Sequence, residues 1–186
     1  MVAVAQKLTY MDLLALPDDG RRYELLDGEL IVVASPTTRH QRVSKRLEFA
    51  LYHAELAGFG EVFDAPYDVQ LSPTNVVEPD LIFVAAGRDV IVTEERIIGV
   101  PDLLVEILSR RTAGIDRGRG PKGKLGIYER LGVPYYWVVD ARHSTITEHT
   151  LHDGRYPPQA PVRRTGDHIV CPLFPTITID LAEVFR

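Results

Sequence analysis

The stretch VPDLLVEILS, Val100 to Ser109, decides the fold. Leu103-Leu104-Val105, then Glu106, then Ile107-Leu108 make a short run that is apolar almost throughout. Such a run predicts a strand covered on both faces. Farther on, KLGIYERLG (Lys124–Gly132) has helical spacing over about 123–131, with Gly132 as its stop. PYYWVVD (Pro134–Asp140) then reads as a second buried strand. Strand, helix and strand in that order form a βαβ unit, so strands 103–108 and 135–140 should run parallel. Glu106 is the exception inside the first of them. Burying an unpaired carboxylate costs several kcal/mol or forces protonation, so the position needs a proton, a basic side chain or a metal ion.

Working outward, LTYMDLLALP (Leu8–Pro17) predicts a short helix with Thr9 as N-cap and Asp12 three residues on. RRYELLDGELIVVA (Arg21–Ala34) predicts a hairpin around Asp27-Gly28. TRHQRVSKRLEFALYHAEL (Thr38–Leu56) is the clearest helix: Thr38 and Gln41 have capping-box spacing, and Val43, Leu47, Ala50, Leu51 and Ala54 form an apolar stripe. Arg39, Arg42, Lys45 and Arg46 occupy its first half, mildly unfavourable at a helix N-terminus, so these charges call for a partner elsewhere. EVFDAPYDVQL, EPDLIFVA and DVIVT, between Glu61 and Thr93, read as strands. The tail offers TITEHTL (Thr145–Leu151) and TITIDLAEVF (Thr176–Phe185), antiparallel strands ending in one helical turn. The expected fold class is α/β: a mixed sheet flanked by helices, with an N-terminal hairpin layer.

A chain of 186 residues suits one domain, expected here over 1–186, with core motifs at about 20–140 and a C-terminal β extension over about 141–186. The single cysteine, Cys171, forms no internal disulfide, and no stretch has the length of a membrane span or the pattern of a secretory signal. A cytoplasmic protein is the expectation. The formal charge of −5 argues against a protein that coats nucleic acid electrostatically. It is compatible with a nuclease, whose acidic cluster is neutralised by an ion. The charge is uneven: Arg110 to Lys124 holds six basic residues against one acid, Asp116. Such a loop is either solvated or turned toward phosphate.

Asp80, directly after Pro79, opens one apolar strand, and Glu106 lies near the far end of another. Neighbouring strands are about 4.8 Å apart, so if these two pair, their carboxylates converge on one cation. Mg²⁺ is held by one or two carboxylates, with water and substrate phosphate oxygens. The alternative is structural: Asp80 at a strand start, and Glu106 paired with an arginine. Asp102 lies about 13 Å along the strand from Glu106, too far to share an ion.

These residues carry a resemblance. Pro79-Asp80 followed by Glu106-Ile107-Leu108 resembles the PD-(D/E)XK nuclease superfamily. With YELLDGEL, SPTTRHQRVSKRL, LSPTNVVEPDLIFV, PDLLVEILS and KLGIYERLGVPYYWVVD in this order, the chain is similar from about Tyr10 to Asp140 to a widespread bacterial family of uncharacterised restriction-endonuclease-like proteins. The resemblance implies a restriction-endonuclease-like core, Asp80 and Glu106 as ligands of Mg²⁺ or Mn²⁺, the backbone carbonyl of Ile107 as a third ligand, and DNA as substrate. The superfamily's usual lysine two residues after the second acid is replaced here by Leu108. In the family a lysine on the following helix takes its place, in the pattern Asp, a few residues, Lys, three residues, Tyr. Lys124 and Tyr128 fit the second half, on one helical face. Asp116 lies farther upstream than the pattern has it, and Lys122 is the alternative to Lys124.

Glu24 and Glu29 share one face of the hairpin, either solvated or, for Glu24, supplying an accessory acid. His40, in the first turn of the basic helix, is an accessory candidate for phosphate contact. GRGPKG (Gly118–Gly123) has the letters of a dinucleotide loop, but about nine residues separate it from the strand and Pro121 interrupts it. His53, His143, His149, His152 and His168 lack zinc-site spacing with Cys171. The expected function is a metal-dependent endonuclease hydrolysing DNA phosphodiesters, with Asp80 and Glu106 on the ion and Lys124 at the phosphate. The rival is a catalytically inactive nuclease-fold protein that binds nucleic acid or serves in assembly. A module cutting both strands would pair as a symmetric homodimer.

Overall fold

The computed structural model describes residues 6–109, 112–120 and 122–186. Arg110, Arg111 and Pro121 of the basic loop lie outside the described residues.

Helix α1 (Tyr10–Leu14) starts where expected, with the Thr9 N–H donating to Asp12 Oδ2 at 2.8 Å. Strands β1 (Tyr23–Leu26) and β2 (Glu29–Val32) pair with Leu26 opposite Glu29, closing a two-residue turn. Asp27 at φ 55° and Gly28 at φ 81° both take the left-handed conformation that this hairpin turn requires. Helix α2 (Thr38–Leu56) is capped by Thr37 rather than Thr38: the Thr37 hydroxyl accepts from the His40 N–H at 3.3 Å. Thr37 has the extended backbone a cap needs, which leaves Thr38 free to enter the first turn.

The segment EVFDAPYDVQL divides at Ala65-Pro66 into β3 (Gly60–Asp64) and β4 (Asp68–Ser72), which join different sheets. Strands β5 (Asn75–Val77) and β6 (Leu81–Ala85) follow. DVIVT is not a strand. Asp89–Ile91 forms a 3₁₀ turn with Val90 exposed, and the short strand β7 (Arg96–Ile98) instead adds to β4 in parallel. Ile97, fully buried, is the apolar anchor that DVIVT lacks. Then come β8 (Leu103–Ile107), α3 (Ala113–Asp116), α4 (Lys124–Leu131) and β9 (Tyr135–Asp140), with Gly132 at φ 82° ending α4. The chain finishes with β10 (Thr145–Thr150), β11 (Val162–Arg164), β12 (His168–Ile169), β13 (Ile179–Asp180) and α5 (Leu181–Phe185).

Six strands form the main sheet in the order β11-β10-β9-β8-β6-β3, and β8 and β9 are parallel, with Glu106 beside Val138. The hairpin is more than an added layer. The free edge of β1 pairs with β5, giving a second sheet in the order β2-β1-β5-β4-β7. A buried edge needs partners for its peptide groups, and β5 supplies them. Side chains on β8 alternate between two cores. Leu103, Val105 and Ile107 face the core shared with α2 and α5, while Leu104 joins Ile82, Val84, Leu125 and Tyr128 on the opposite side. Glu106 has the parity of Leu104, so it faces α4 and the second sheet.

A buried acid and lysine cluster as candidate active site

Strands β6 and β8 pair antiparallel with Leu81 opposite Val105, so the next rung sets Asp80 opposite Glu106 on one face. The two strands therefore bring their carboxylates together. The Ile107 N–H donates to Asp80 Oδ2 at 2.6 Å, and His40 Nε2 lies 3.1 Å from Asp80 Oδ1. His40 reaches this point from the first turn of α2, around the end of the main sheet.

Helix α4 supplies the partner Glu106 needs. Lys124 Nζ donates to Glu106 Oε1 at 2.7 Å, and the Tyr128 hydroxyl donates to the same oxygen at 2.9 Å. Their i, i+4 spacing puts both donors on one helical face. Lys124 Nζ also donates to Glu24 Oε1 at 2.7 Å and lies 4.0 Å from Asp116 Oδ1. Glu106, Glu24, Asp116 and Lys124 are all buried. The structural alternative had an arginine beside Glu106; the partner is a lysine.

Lys122 is elsewhere: its ammonium meets Glu29 at 2.5 Å on the surface. Geometry thus separates the two lysines, and Lys124 alone reaches the cluster. The rest of the described basic loop is also paired with acids, Arg117 with Asp140 and Arg119 with Glu129. Glu24 overturns the solvated reading of its hairpin face. The second sheet buries it, its Oε1 accepting also from the Glu78 N–H at 2.9 Å, while Glu29 at the hairpin tip stays exposed. Asp116 was not among the candidate site residues. Its only signal was an acid upstream of Lys124 at a spacing longer than the family pattern, because α3 and the loop fold it back. Asp102 acts away from the cluster, accepting from the Ala85 N–H at 2.8 Å and pairing with Arg88. Two glycines of GRGPKG, Gly118 and Gly123, are closely packed against each other: a Cβ on Gly123 would lie 2.1 Å from the Gly118 carbonyl oxygen.

Burial pushes the Glu106 carboxyl well up; Lys124 opposes this, while Asp116, Glu24 and Asp80 add to it. Asp116 is raised to about 6, and Glu78 at the rim to about 7, in both cases chiefly by burial. Burial acts against the Lys124 cation, yet Glu106, Glu24 and Asp116 together hold its pKa well above the ordinary value. The cluster is thus rich in carboxylate and poor in cation.

Glu24, Asp80, Glu106, Asp116 and Lys124 line one cavity of about 90 Å³. Asp116 Oδ1 is buried there without a hydrogen-bond partner, as is His40 Nδ1. Among the described residues, no group of three or more His, Cys, Asp and Glu side chains is set to hold a metal ion. Mg²⁺ does not need one, since one or two carboxylates with water and phosphate oxygens suffice. Hard oxygen donors in excess of cations, with one of them unsatisfied, fit such an ion.

Fold and site together define an α/β protein with an acid and lysine centre at the end of a mixed sheet. A solved structure described as "a putative nuclease belonging to DUF820", from Anabaena variabilis ATCC 29413, has the same fold, with TM-score 0.72 over 96% of this chain and 97% of that one at 16% identity. The chain belongs to the Uma2 family, described as "Putative restriction endonuclease", whose family model matches residues 10–182. No protein of curated function matches it. None of its described helices is long and apolar enough to cross a membrane.

Proposed function

We propose that this protein is a Mg²⁺- or Mn²⁺-dependent endonuclease that hydrolyses DNA phosphodiester bonds at the acid and lysine cluster. The observation that carries this reading is the meeting of Asp80, Glu106 and Lys124 in one cavity of a Uma2-family fold. Asp80 and Glu106 would hold the ion with the carbonyl of Ile107, and Asp116 lines the same cavity. When bound, the ion supplies a water acidic enough to be nucleophilic near neutral pH and offsets phosphoryl charge. The chain's own residues do the rest. Tyr128 fixes the Glu106 carboxylate through its hydroxyl. His40 and the Ile107 N–H orient Asp80. The Lys124 ammonium, held cationic by its carboxylate neighbours, stands ready to donate to a phosphate oxygen as charge grows there. Hydrolysis breaks one P–O ester bond and leaves a phosphomonoester and a hydroxyl. A symmetric homodimer would place two such centres for cutting both strands.

A second reading, binding without cleavage, has one observation in its favour. Lys124 is already committed to Glu24 and Glu106, so phosphate must compete with two short ionic hydrogen bonds. Calorimetric titration with Mg²⁺ and Mn²⁺ is expected to show a site in the wild type that Asp80→Asn loses; equal binding by both rejects the ligand assignment. Nicking of supercoiled DNA is expected from the wild type and not from Glu106→Gln or Lys124→Ala. A wild type that never nicks above these variants favours the second reading.

A further inference from the structure

The carboxylate cavity opens onto a groove with the opposite charge. Ala34, His40 and Ser109 line both the cavity and a neighbouring concavity of about 730 Å³, which continues past Arg39 and Arg142. Arg39 and Ala141 are shared in turn with a third concavity of about 470 Å³ that carries Arg42 and Arg46. Among the described residues, no aspartate or glutamate lines either of the two outer concavities, in a chain whose formal charge is −5. Arg39, Arg42 and Arg142 are exposed, and their guanidinium groups form no ion pair or hydrogen bond among the described residues. Most other basic side chains around the site have an acidic partner: Arg22, Arg117, Arg119, Lys122 and Lys124. Unpaired arginines are thus concentrated where the cavity opens.

Arg39 and Arg42 are neighbours on the first two turns of α2, about 4.5 Å apart along its axis. Cations there work against the helix dipole, so the fold gains nothing from them. Arginine forks match phosphate oxygens in pairs, and the exposed start of a 19-residue helix itself favours an anion. Resting on the nuclease reading of the adjoining cavity, we propose that Arg39, Arg42 and Arg142 hold the DNA phosphates next to the one being cleaved, and that the strand leaves the cavity past His40 and Ser109 along the first half of α2. The contacts are to the backbone, so they give affinity and register without sequence preference.

The test is anisotropy of a short fluorescent DNA duplex with the full chain in EDTA, across a salt series. Arg39→Ala/Arg42→Ala/Arg142→Ala is expected to bind at least about tenfold more weakly, with the slope of log K against log salt shallower by about 2 to 3, roughly one per lost phosphate contact. The triple lysine variant at the same positions keeps most of the slope. Arg155→Ala, outside the groove, binds as the wild type does. An alanine triple variant with wild-type affinity and slope overturns the proposal, as does tighter binding of an RNA duplex than of DNA. The two readings fail separately. A wild type that nicks DNA while the triple variant binds normally loses the groove and keeps the nuclease; arginine-dependent binding with no nicking does the reverse.

Discussion

Lys124 is where the chemistry of single residues is most exposed to test. It is buried, and it makes 2.7 Å bonds to two carboxylates that are themselves buried. Removing the cation strands both acids, so Lys124→Met should lower stability by about 3–5 kcal/mol, seen as a lower urea midpoint at unchanged slope. Adding Glu24→Gln to that background should recover part of the loss, because one stranded charge is gone and the two effects are coupled. A Lys124→Met protein that unfolds with the wild type would mean that the cluster is already neutral. The sequence made much of this geometry legible. Pro79-Asp80 and the lone acid in LLVEIL fix two strand positions, and a two-strand pairing is enough to bring them together. It did not separate Lys124 from Lys122, since that depends on where the loop before α4 hands the chain to the helix. It favoured a solvated Glu24 because burial on one half of a hairpin face is created by a second sheet assembled from distant segments. Asp116 was missed for a local reason: the turn between α3 and α4 brings it back to Lys124 across eight residues, a longer spacing than the family pattern has.

Elements were read well where one local signal sufficed, as in α2, α4, β8 and β9, and poorly where a partner decides. DVIVT has strand composition but no buried anchor, whereas β7, only three residues long, exists because β4 offers it an edge. The most consequential element is α4, because its position sets the Lys124 ammonium. Its docking depends on Gly126, where an added Cβ would lie 2.4 Å from the Arg119 carbonyl oxygen. Gly126→Ala should therefore cost about 1–3 kcal/mol and displace the helix, reducing both metal binding and nicking. Gly132→Ala is the matched control at the other end of α4. Its φ of 82° is strained for alanine, but nothing lies within 4 Å of the new methyl. It should cost about 1 kcal/mol and leave the cluster in place. Equal effects of the two on metal binding would show that α4 tolerates displacement.

Across the whole molecule, charge is sorted: carboxylates in excess inside the cavity, unpaired arginines along the groove beside it. Stability then depends on pH through groups that pull in opposite directions. Asp116 and Glu78, raised to about 6 and about 7, hold their protons more tightly in the folded state, so their contribution is full at low pH and is lost as pH rises through those values. His149 does the opposite. It is buried among Tyr136 and Tyr156, with ring centroids 5.8 and 5.6 Å away, and its Nδ1 has no hydrogen-bond partner. Burial holds its pKa down to about 4 from an ordinary 6.5, with Arg119 pushing the same way. The neutral ring is the folded form, so its contribution is full above 6.5 and is lost as pH falls toward 4. Two and a half pK units correspond to about 3 kcal/mol, and partial solvent screening reduces this to about 2. Since the carboxylates partly cancel this in the wild type, the informative quantity is a difference. Urea unfolding in EDTA, with Phe in place of His149, should show a variant that loses less stability than the wild type between pH 6.5 and 4, the gap growing steadily as the pH drops. Parallel curves over that interval would mean that His149 is protonated within the folded protein at little cost, and that the ring stack around it admits water.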